Sequence, residues 1–267
     1  MSAVLVVIIL GIVQGITEFL PVSSTGHMIL VEKFLKSGEL SPKFLDSFLV
    51  IVQLASILAV LLYFWKDIHP FVKERELFQK RMSLWSKIVV GVIPVAIIGL
   101  KFDDVVSNFF MDNVVVIAVA LIFYGLAFLW IEKKMEGRNP LDGAELTYRA
   151  AFLMGCFQCL ALVPGTSRSG STILGGLILG LSRPIAAEFS FLMAIPVMFG
   201  ASLLKVVKNG LSYTPYEWQL MGIGSLVSFV VAYVVIKWFM EYIRRRNFNC
   251  FGVYRIILGV TVLLLMR

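Results

Sequence analysis

Residues 14–27, QGITEFLPVSSTGH, place a carboxylate, four hydroxyl groups and a histidine inside an otherwise apolar chain. A second polar stretch, residues 158–172, QCLALVPGTSRSGST, adds five hydroxyl groups and an arginine. Such groups are costly at membrane depth, where they usually mark a functional site. The two stretches therefore predict both where helices are interrupted and where the chemistry lies.

The composition predicts a membrane protein. Of the 267 residues, 59% are hydrophobic and only 15% are charged, a balance more apolar than that of a soluble domain of this size. The net charge of +7 comes largely from Lys and Arg in short segments between apolar stretches. There these residues set membrane orientation and contact anionic lipid, so a nucleic-acid partner is not expected. We expect one integral membrane domain over residues 1–267.

Six apolar stretches approach the roughly 20 residues that a membrane-spanning helix needs. They are Leu45–Trp65, Ile88–Leu100, Val114–Ile131, Phe189–Leu204, Met221–Phe239 and Phe251–Met266. Two further apolar stretches, Ala3–Leu20 and Ala150–Val163, run into the polar stretches and then resume as a second, shorter apolar piece. That pattern predicts a re-entrant helical hairpin at each polar stretch.

The chain divides into two related halves, about residues 1–132 and about residues 148–267. Each half has one predicted hairpin followed by three predicted spans. The matching motifs are Gly11-x-x-Gln14 with Gly155-x-x-Gln158, and Pro21-x-x-Ser24 with Pro164-x-x-Ser167, about 143 residues apart. The sequence therefore predicts an internal repeat.

The charged segments predict how the halves lie in the membrane. Lys and Arg are concentrated in segments 66–87, 132–149 and 237–250, which we expect on the cytoplasmic side. The outer segments are then 32–46, 101–113 and 205–217. An odd number of spans per half makes the halves inverted, so that the hairpin tips meet near the midplane. The expected fold is an all-α polytopic membrane protein built as an inverted repeat.

The second hairpin tip has the chemistry of a phosphate site. Gly165 frees the backbone, hydroxyls and amides line the turn, and Arg168 offers a planar fork that matches phosphoryl oxygens. A helix starting near Ser169 would add its positive N-terminal end. The residues expected to line a bound anion are Ser23, Thr25, Gly165, Thr166, Ser167, Ser169 and Thr172.

The first hairpin tip supplies groups for proton transfer. Glu18 lies one helical turn beyond Gln14 and therefore on the same helix face. His27 follows a run of three hydroxyl residues, and imidazole is the side chain best suited to exchange a proton near neutral pH. The other histidine, His69, lies in a charged segment, where solvation accounts for it.

The motif QGITEFLPVSSTGH followed by PGTSRSGST resembles the undecaprenyl-diphosphate phosphatase family, the bacitracin-resistance proteins of bacterial membranes. The resemblance extends over essentially the whole chain. It implies hydrolysis of the undecaprenyl diphosphate lipid carrier to its monophosphate and inorganic phosphate, at the outer face of the cytoplasmic membrane. It further implies aid from a divalent cation, Mg²⁺ or Ca²⁺, a role in recycling the carrier for wall polymers, and competition with bacitracin for the substrate.

Position by position, the resemblance implies catalytic roles for Glu18, Ser24, His27 and Arg168, and a metal-binding role for Gln14 with Glu18. The family's phosphate loop falls on Ser167, Arg168 and Thr172. Many relatives carry glutamate where this chain has Gln14, and the amide carbonyl of Gln14 is a weaker cation ligand than a carboxylate. The nucleophile is either Ser24 or a water molecule.

Three other functions remain open on the sequence. Broken helices at a repeat interface are also typical of transporters, which bind without cleaving. A phosphatase of the phosphatidic-acid type needs a second histidine, for which His69 is unsuitable. An inactive scaffold would leave the buried charges unexplained. Glycines in the spans permit close helix approach either within the fold or in a homodimer.

Overall fold

The computed structural model describes residues 2–35, 40–110, 113–139, 141–209 and 213–265. Within these ranges the regular structure is helical, apart from one isolated bridge between Ala144 and Leu181. The helices are α1 (Ala3–Thr17), α2 (Ser24–Leu35), α3 (Pro42–Tyr63), α4 (Trp65–Ile68), α5 (Arg75–Phe110), α6 (Val114–Lys134), α7 (Tyr148–Cys159), α8 (Arg168–Ile178), α9 (Arg183–Asn209), α10 (Pro215–Arg245) and α11 (Asn249–Leu265). The all-α prediction is confirmed.

Five helices are long and apolar enough to cross a membrane. These spans are Pro42–Tyr63, Arg75–Gly99, Val114–Lys134, Arg183–Leu204 and Pro215–Arg245, and they overlap five of the six predicted spans. The sixth prediction, Phe251–Met266, falls on α11, and its Met266 lies outside the described residues. The 17 residues of α11 rise about 26 Å, slightly less than the hydrocarbon core of a bilayer. The prediction of a multispanning membrane protein is confirmed.

Several segments predicted as loops are helical instead. The helix α5 begins at Arg75 and ends at Phe110, so it includes much of the predicted loops 66–87 and 101–113. Likewise α10 continues through Arg245, inside the predicted loop 237–250. Hydropathy detects only the apolar length of a helix, whereas the backbone continues its hydrogen bonding into the polar ends.

Glycines bring two pairs of helices into backbone contact. The helix α1 packs on α10, and α7 packs on α5. A Cβ added to Gly11 would lie 2.8 Å from the carbonyl oxygen of Gly224, and one added to Gly155 would lie 2.0 Å from that of Gly91. Small residues are what permit such close packing in membranes. By contrast, Gly200 has no atom within 4 Å of its added Cβ.

Three further helix pairs pack closely in the bundle. The helix α6 packs along α11, and α3 packs along α9 and α10. The first polar stretch covers the end of α1 and the start of α2. The second covers the end of α7, a short 3₁₀ turn, Leu160–Leu162, and the start of α8. Phe19 anchors the first stretch to α9, because its buried ring meets that of Phe191 edge-on at 5.2 Å. The polar stretches are thus held inside the helix bundle.

Candidate functional site

The two polar stretches form the same backbone turn. Ser23 and Ser167 each have a φ of 72°, a region that residues with a side chain rarely adopt. Each serine Oγ accepts a hydrogen bond from the amide three residues later, Gly26 at 3.4 Å and Gly170 at 3.1 Å. Such a conformation costs about 1–3 kcal/mol per residue, so the surrounding structure must enforce it. Strained turns of this kind are often found at functional sites.

The matching turns change the alignment of the halves by one residue. Ser23, rather than Ser24, corresponds to Ser167, and the alignment based on the prolines was wrong at this point. The next residues, Ser24 and Arg168, each begin a helix, α2 and α8 respectively. The predicted start of the second helix near Ser169 is confirmed, since α8 begins at Arg168. Ser24 and Arg168 therefore occupy equivalent positions on the two turns.

Glycine is required at the tip of the second turn. Gly165 has a φ of 87°, and a Cβ added there would lie 2.4 Å from the carbonyl oxygen of Ile117 in α6. The next residue, Thr166, is buried. The predicted backbone freedom of Gly165 is therefore used to press the turn against a neighbouring helix.

A buried polar cluster joins the two stretches. The side-chain amide of Gln14 donates to Glu18 Oε2 at 2.7 Å. Arg168 Nη2 lies 3.6 Å from Glu18 Oε1, and these side chains are only 12% and 3% exposed. The residues predicted from separate halves of the sequence thus meet where α1 ends and α8 begins.

One edge of the Arg168 guanidinium makes no hydrogen bond with the described residues. Its Nη1 donates to the backbone carbonyl of Ser190 at 2.9 Å. Its Nε and Nη2 are buried, and apart from the ion pair of Nη2 with Glu18 neither has a polar partner among the described residues. These two groups form one fork of the guanidinium, which matches two oxygens of a phosphoryl or carboxylate group. Since a buried unpaired donor costs about 1–3 kcal/mol, the fork is suited to an incoming anion.

The hydroxyls of the second turn hold its shape. Ser169 Oγ donates to the carbonyl of Leu20 at 3.0 Å, which ties this turn to the first one. Thr172 Oγ1 donates to the carbonyl of Arg168 at 2.8 Å and lies 2.6 Å from Ser190 Oγ. Ser169 and Thr172 are completely buried. Their bonds fix the backbone beside the fork of Arg168.

His27 belongs to a separate hydrogen-bonded group. Its Nδ1 lies 2.7 Å from the carbonyl oxygen of Ser23, and its Nε2 lies 2.6 Å from the hydroxyl of Tyr254 in α11. A carbonyl only accepts, so Nδ1 carries a proton, and in the neutral ring Nε2 accepts the hydroxyl proton of Tyr254. No hydrogen bond within the described ranges joins His27 to Glu18 or Arg168. The neighbouring Ser24 and Thr25 are half-buried.

Arg255 is a site residue that was not predicted from the sequence. This fully buried side chain of α11 donates from Nη1 to the carbonyl of Pro21 at 3.1 Å. Its Nη2 donates to the carbonyls of Gly165 and Thr166 at 2.9 and 2.8 Å. A single guanidinium therefore contacts both turns. The available signal was a charged residue inside a predicted span, which usually indicates function.

The residues present define how a cation could be held. Among the described residues, no group of three or more His, Cys, Asp or Glu comes together as a metal site. Gln14 and Glu18 together offer one amide and one carboxylate. Magnesium is commonly held by one or two carboxylates together with phosphate oxygens and waters. This donor set fits a cation that is bound jointly with a phosphorylated ligand.

Comparison with known proteins places these features in one family. Residues 7–261 match the profile described as bacitracin resistance protein BacA. An undecaprenyl-diphosphatase of Fusobacterium nucleatum is 57% identical over 264 residues, covering 97% of this chain and 99% of the relative. Undecaprenyl-diphosphatase 1 of Clostridioides difficile is 52% identical over 258 residues, covering 96% and 93%. An undecaprenyl-diphosphatase of Enterococcus faecalis is 45% identical over 263 residues, covering 96% and 95%.

Proposed function

Because this chain belongs to the BacA family of bacitracin resistance proteins, we propose that it hydrolyses undecaprenyl diphosphate to undecaprenyl phosphate and inorganic phosphate. The observation that carries the proposal is the buried edge of the Arg168 guanidinium, between the two strained turns. Its Nε and Nη2 make no hydrogen bond with the described residues, and Nη2 forms an ion pair with Glu18. Hydrolysis recycles the lipid carrier for peptidoglycan and other wall polymers. It confers bacitracin resistance because the antibiotic competes for the same diphosphate.

Arg168 binds the phosphoryl group that is transferred. Phosphoryl transfer depends mainly on positioning and on neutralising charge. The Nε and Nη2 groups of Arg168 reach two non-bridging oxygens, while Nη1 stays anchored on the carbonyl of Ser190. The positive N-terminal end of α8, whose first residue is Arg168, adds to the attraction. Of the other hydroxyl and backbone groups proposed to line the anion, Ser23, Thr25 and Ser167 lie on the same two turns.

Ser24 is the proposed nucleophile, and a water molecule is the alternative. Ser24 holds on the first turn the position that Arg168 holds on the second. His27 lies three residues later on the same helix face. Its Nε2 accepts the proton of the attacking hydroxyl, which takes the place of the Tyr254 hydroxyl at this nitrogen. The new P–O bond forms as the bridging P–O bond breaks, and the lipid phosphate leaves as an anion. With Ser24 as nucleophile, water then releases phosphate from the serine.

A divalent cation, Mg²⁺ or Ca²⁺, is proposed at Glu18 and Gln14. Such an ion supplies positive charge that stabilises the phosphoryl oxygens. The carboxylate of Glu18 and the carbonyl oxygen of Gln14 would hold this cation. Gln14 also donates to Glu18 at 2.7 Å, which orients the carboxylate.

We also propose that the halves are inverted repeats with re-entrant hairpins, and that the site opens to the outer face of the cytoplasmic membrane. In the proposed repeat, α1 corresponds to α7 and α10 corresponds to α5. The contact of α1 with α10 in one half therefore matches the contact of α7 with α5, which supports a repeat. The equal φ angles of Ser23 and Ser167 support it locally. Lys133 and Arg244 lie at the polar ends of α6 and α10, consistent with cytoplasmic ends.

The rival functions differ in testable ways. A transporter needs an anion site but no nucleophile or proton acceptor, whereas Ser24 and His27 lie on one turn. The phosphatidic-acid type of phosphatase needs a second histidine near the phosphate. His69 lies outside both turns, where Arg81 donates to its carbonyl at 2.6 Å. This arrangement favours the undecaprenyl-diphosphate reaction.

Purified protein in detergent is expected to release inorganic phosphate from undecaprenyl diphosphate. Chelation with EDTA is expected to reduce the rate at least about tenfold, because the cation supplies part of the charge that phosphoryl transfer needs. Adding Mg²⁺ or Ca²⁺ back should restore it. A colorimetric phosphate assay measures both effects. Binding of the lipid without any release would favour a transporter, and full activity in EDTA would contradict the cation proposal.

Tyr254→Phe is expected to lower kcat about tenfold with little change in KM. The substitution removes the hydroxyl that contacts His27 Nε2 at 2.6 Å but keeps the nearly parallel ring contact. A loosely oriented imidazole accepts the attacking proton less effectively. Steady-state phosphate release measures the change, and Tyr213→Phe, which removes a hydroxyl bonded to Ser47, is the matched control. Equal kcat in all three proteins would contradict the role given to His27.

A further inference from the structure

We propose that Arg255 is a positioning residue for phosphoryl transfer. It fixes the separation of the two turns and supplies a permanent positive charge behind the bound diphosphate, without touching the substrate. This inference rests on the proposed function. It adds a residue of α11 to a site whose motifs come entirely from the two polar stretches.

The hydrogen bonds of Arg255 connect the two turns. Arg255 donates to Pro21 on the first turn and to Gly165 and Thr166 on the second, at 2.8 to 3.1 Å. Arginine presents five N–H donors in a rigid plane, so it can bond several carbonyls at once. A Cβ added to Gly170 would lie 3.1 Å from Arg255 Nη1, so glycine at this position gives the guanidinium room below α8.

Arg255 also places a positive charge inside the protein. Arg255 is completely buried, and no carboxylate of the described residues forms an ion pair with it. The face of the Tyr124 ring lies 5.5 Å from its guanidinium and stabilises the cation partly. Together with Arg168 and Glu18, Arg255 leaves one net positive charge around the turns. Such a charge favours binding of an anion such as diphosphate.

Packing alone does not require a charged side chain at position 255. A buried ion is expensive, and well-packed apolar residues often replace buried ions without loss of stability. The partners of Arg255 are all backbone carbonyls of the two turns, besides the ring of Tyr124. The bonds are thus directed at the parts of the protein that hold the candidate chemistry.

The test compares Arg255→Lys with Arg255→Gln by measuring kcat and KM for undecaprenyl diphosphate. Lysine keeps the charge but loses the fork, so we expect kcat to fall about 100-fold while KM stays within about threefold, because small misplacements mainly affect the transition state. Glutamine loses the charge as well, so its KM should also rise about tenfold. Arg183→Lys is the matched control, since Arg183 is another buried arginine but pairs with Glu132. It should lower thermal stability and leave kcat unchanged.

The outcomes separate this inference from the proposed function. If wild-type protein releases phosphate and Arg255→Lys retains kcat within threefold, the positioning role is wrong. An unchanged KM in Arg255→Gln would overturn the role of the charge. If neither variant folds, Tyr124→Leu, which keeps Arg255 but removes its aromatic contact, should still lower kcat several-fold, and an unchanged kcat there would overturn the inference. Only an inactive wild type would count against the proposed function itself.

Discussion

Arg168→Ala is expected to lower kcat/KM for undecaprenyl diphosphate about 1,000-fold while the protein stays folded. The substitution removes the donors Nε and Nη2, and with Nη2 the ion pair with Glu18. Losing one preorganised donor at a developing charge typically costs 10²–10³ in rate, and a phosphoryl-binding arginine costs about 10³–10⁵. Initial rates of phosphate release over a range of lipid concentrations measure the change.

Arg168→Lys serves as the matched variant for that prediction. Lysine keeps one positive charge but cannot bind two oxygens in a plane, so we expect a loss of about 100-fold. Thermal unfolding of both variants checks that the turn survives, because Arg168 also anchors to the carbonyl of Ser190. Wild-type kcat/KM in folded Arg168→Ala would refute the assignment of the phosphate site.

Glu18→Gln is expected to lower kcat about 100-fold or more and to weaken the response to added Mg²⁺. The amide keeps the shape of the side chain but removes the negative charge beside Arg168 and the proposed cation ligand. Phosphate release is measured across a titration of Mg²⁺ after treatment with EDTA. Half-saturation should move to a higher Mg²⁺ concentration than in wild type.

Gln14→Glu is the informative partner of Glu18→Gln. It adds a second carboxylate next to Glu18, so activity should persist and half-saturation should move to a lower Mg²⁺ concentration. An unaltered Mg²⁺ response in both variants would show that the cation is not held at these residues. Normal kcat in Glu18→Gln would remove Glu18 from the mechanism.

Much of the arrangement could be predicted from where polar residues interrupt apolar sequence. The cost of polar groups at membrane depth singled out both stretches, and the repeat suggested that they meet. The contact of Glu18 with Arg168 agrees with that prediction. The one-residue error at Ser24 arose because prolines were matched, whereas the turns are defined by the backbone angles of Ser23 and Ser167.

Other parts of the site could not be read from the motifs. Arg255 and Tyr254 lie in an otherwise apolar helix, and their role depends on how α11 packs beside the turns. The carbonyl of Ser190 anchors Arg168. Every residue has a backbone carbonyl, so the residue type does not predict this contact. The sequence also grouped His27 with Glu18, because both lie on the first polar stretch. In the structure these two side chains belong to separate hydrogen-bonded groups.

The most direct test is phosphate release from undecaprenyl diphosphate by purified wild type and Arg168→Ala, with lipid binding measured on the same samples. The account predicts one inorganic phosphate and one undecaprenyl phosphate for each substrate consumed by wild type, and almost none from a folded Arg168→Ala. Release at equal rates by the two proteins would contradict the central claim that this site cleaves the diphosphate. Binding by wild type without release would contradict it as well.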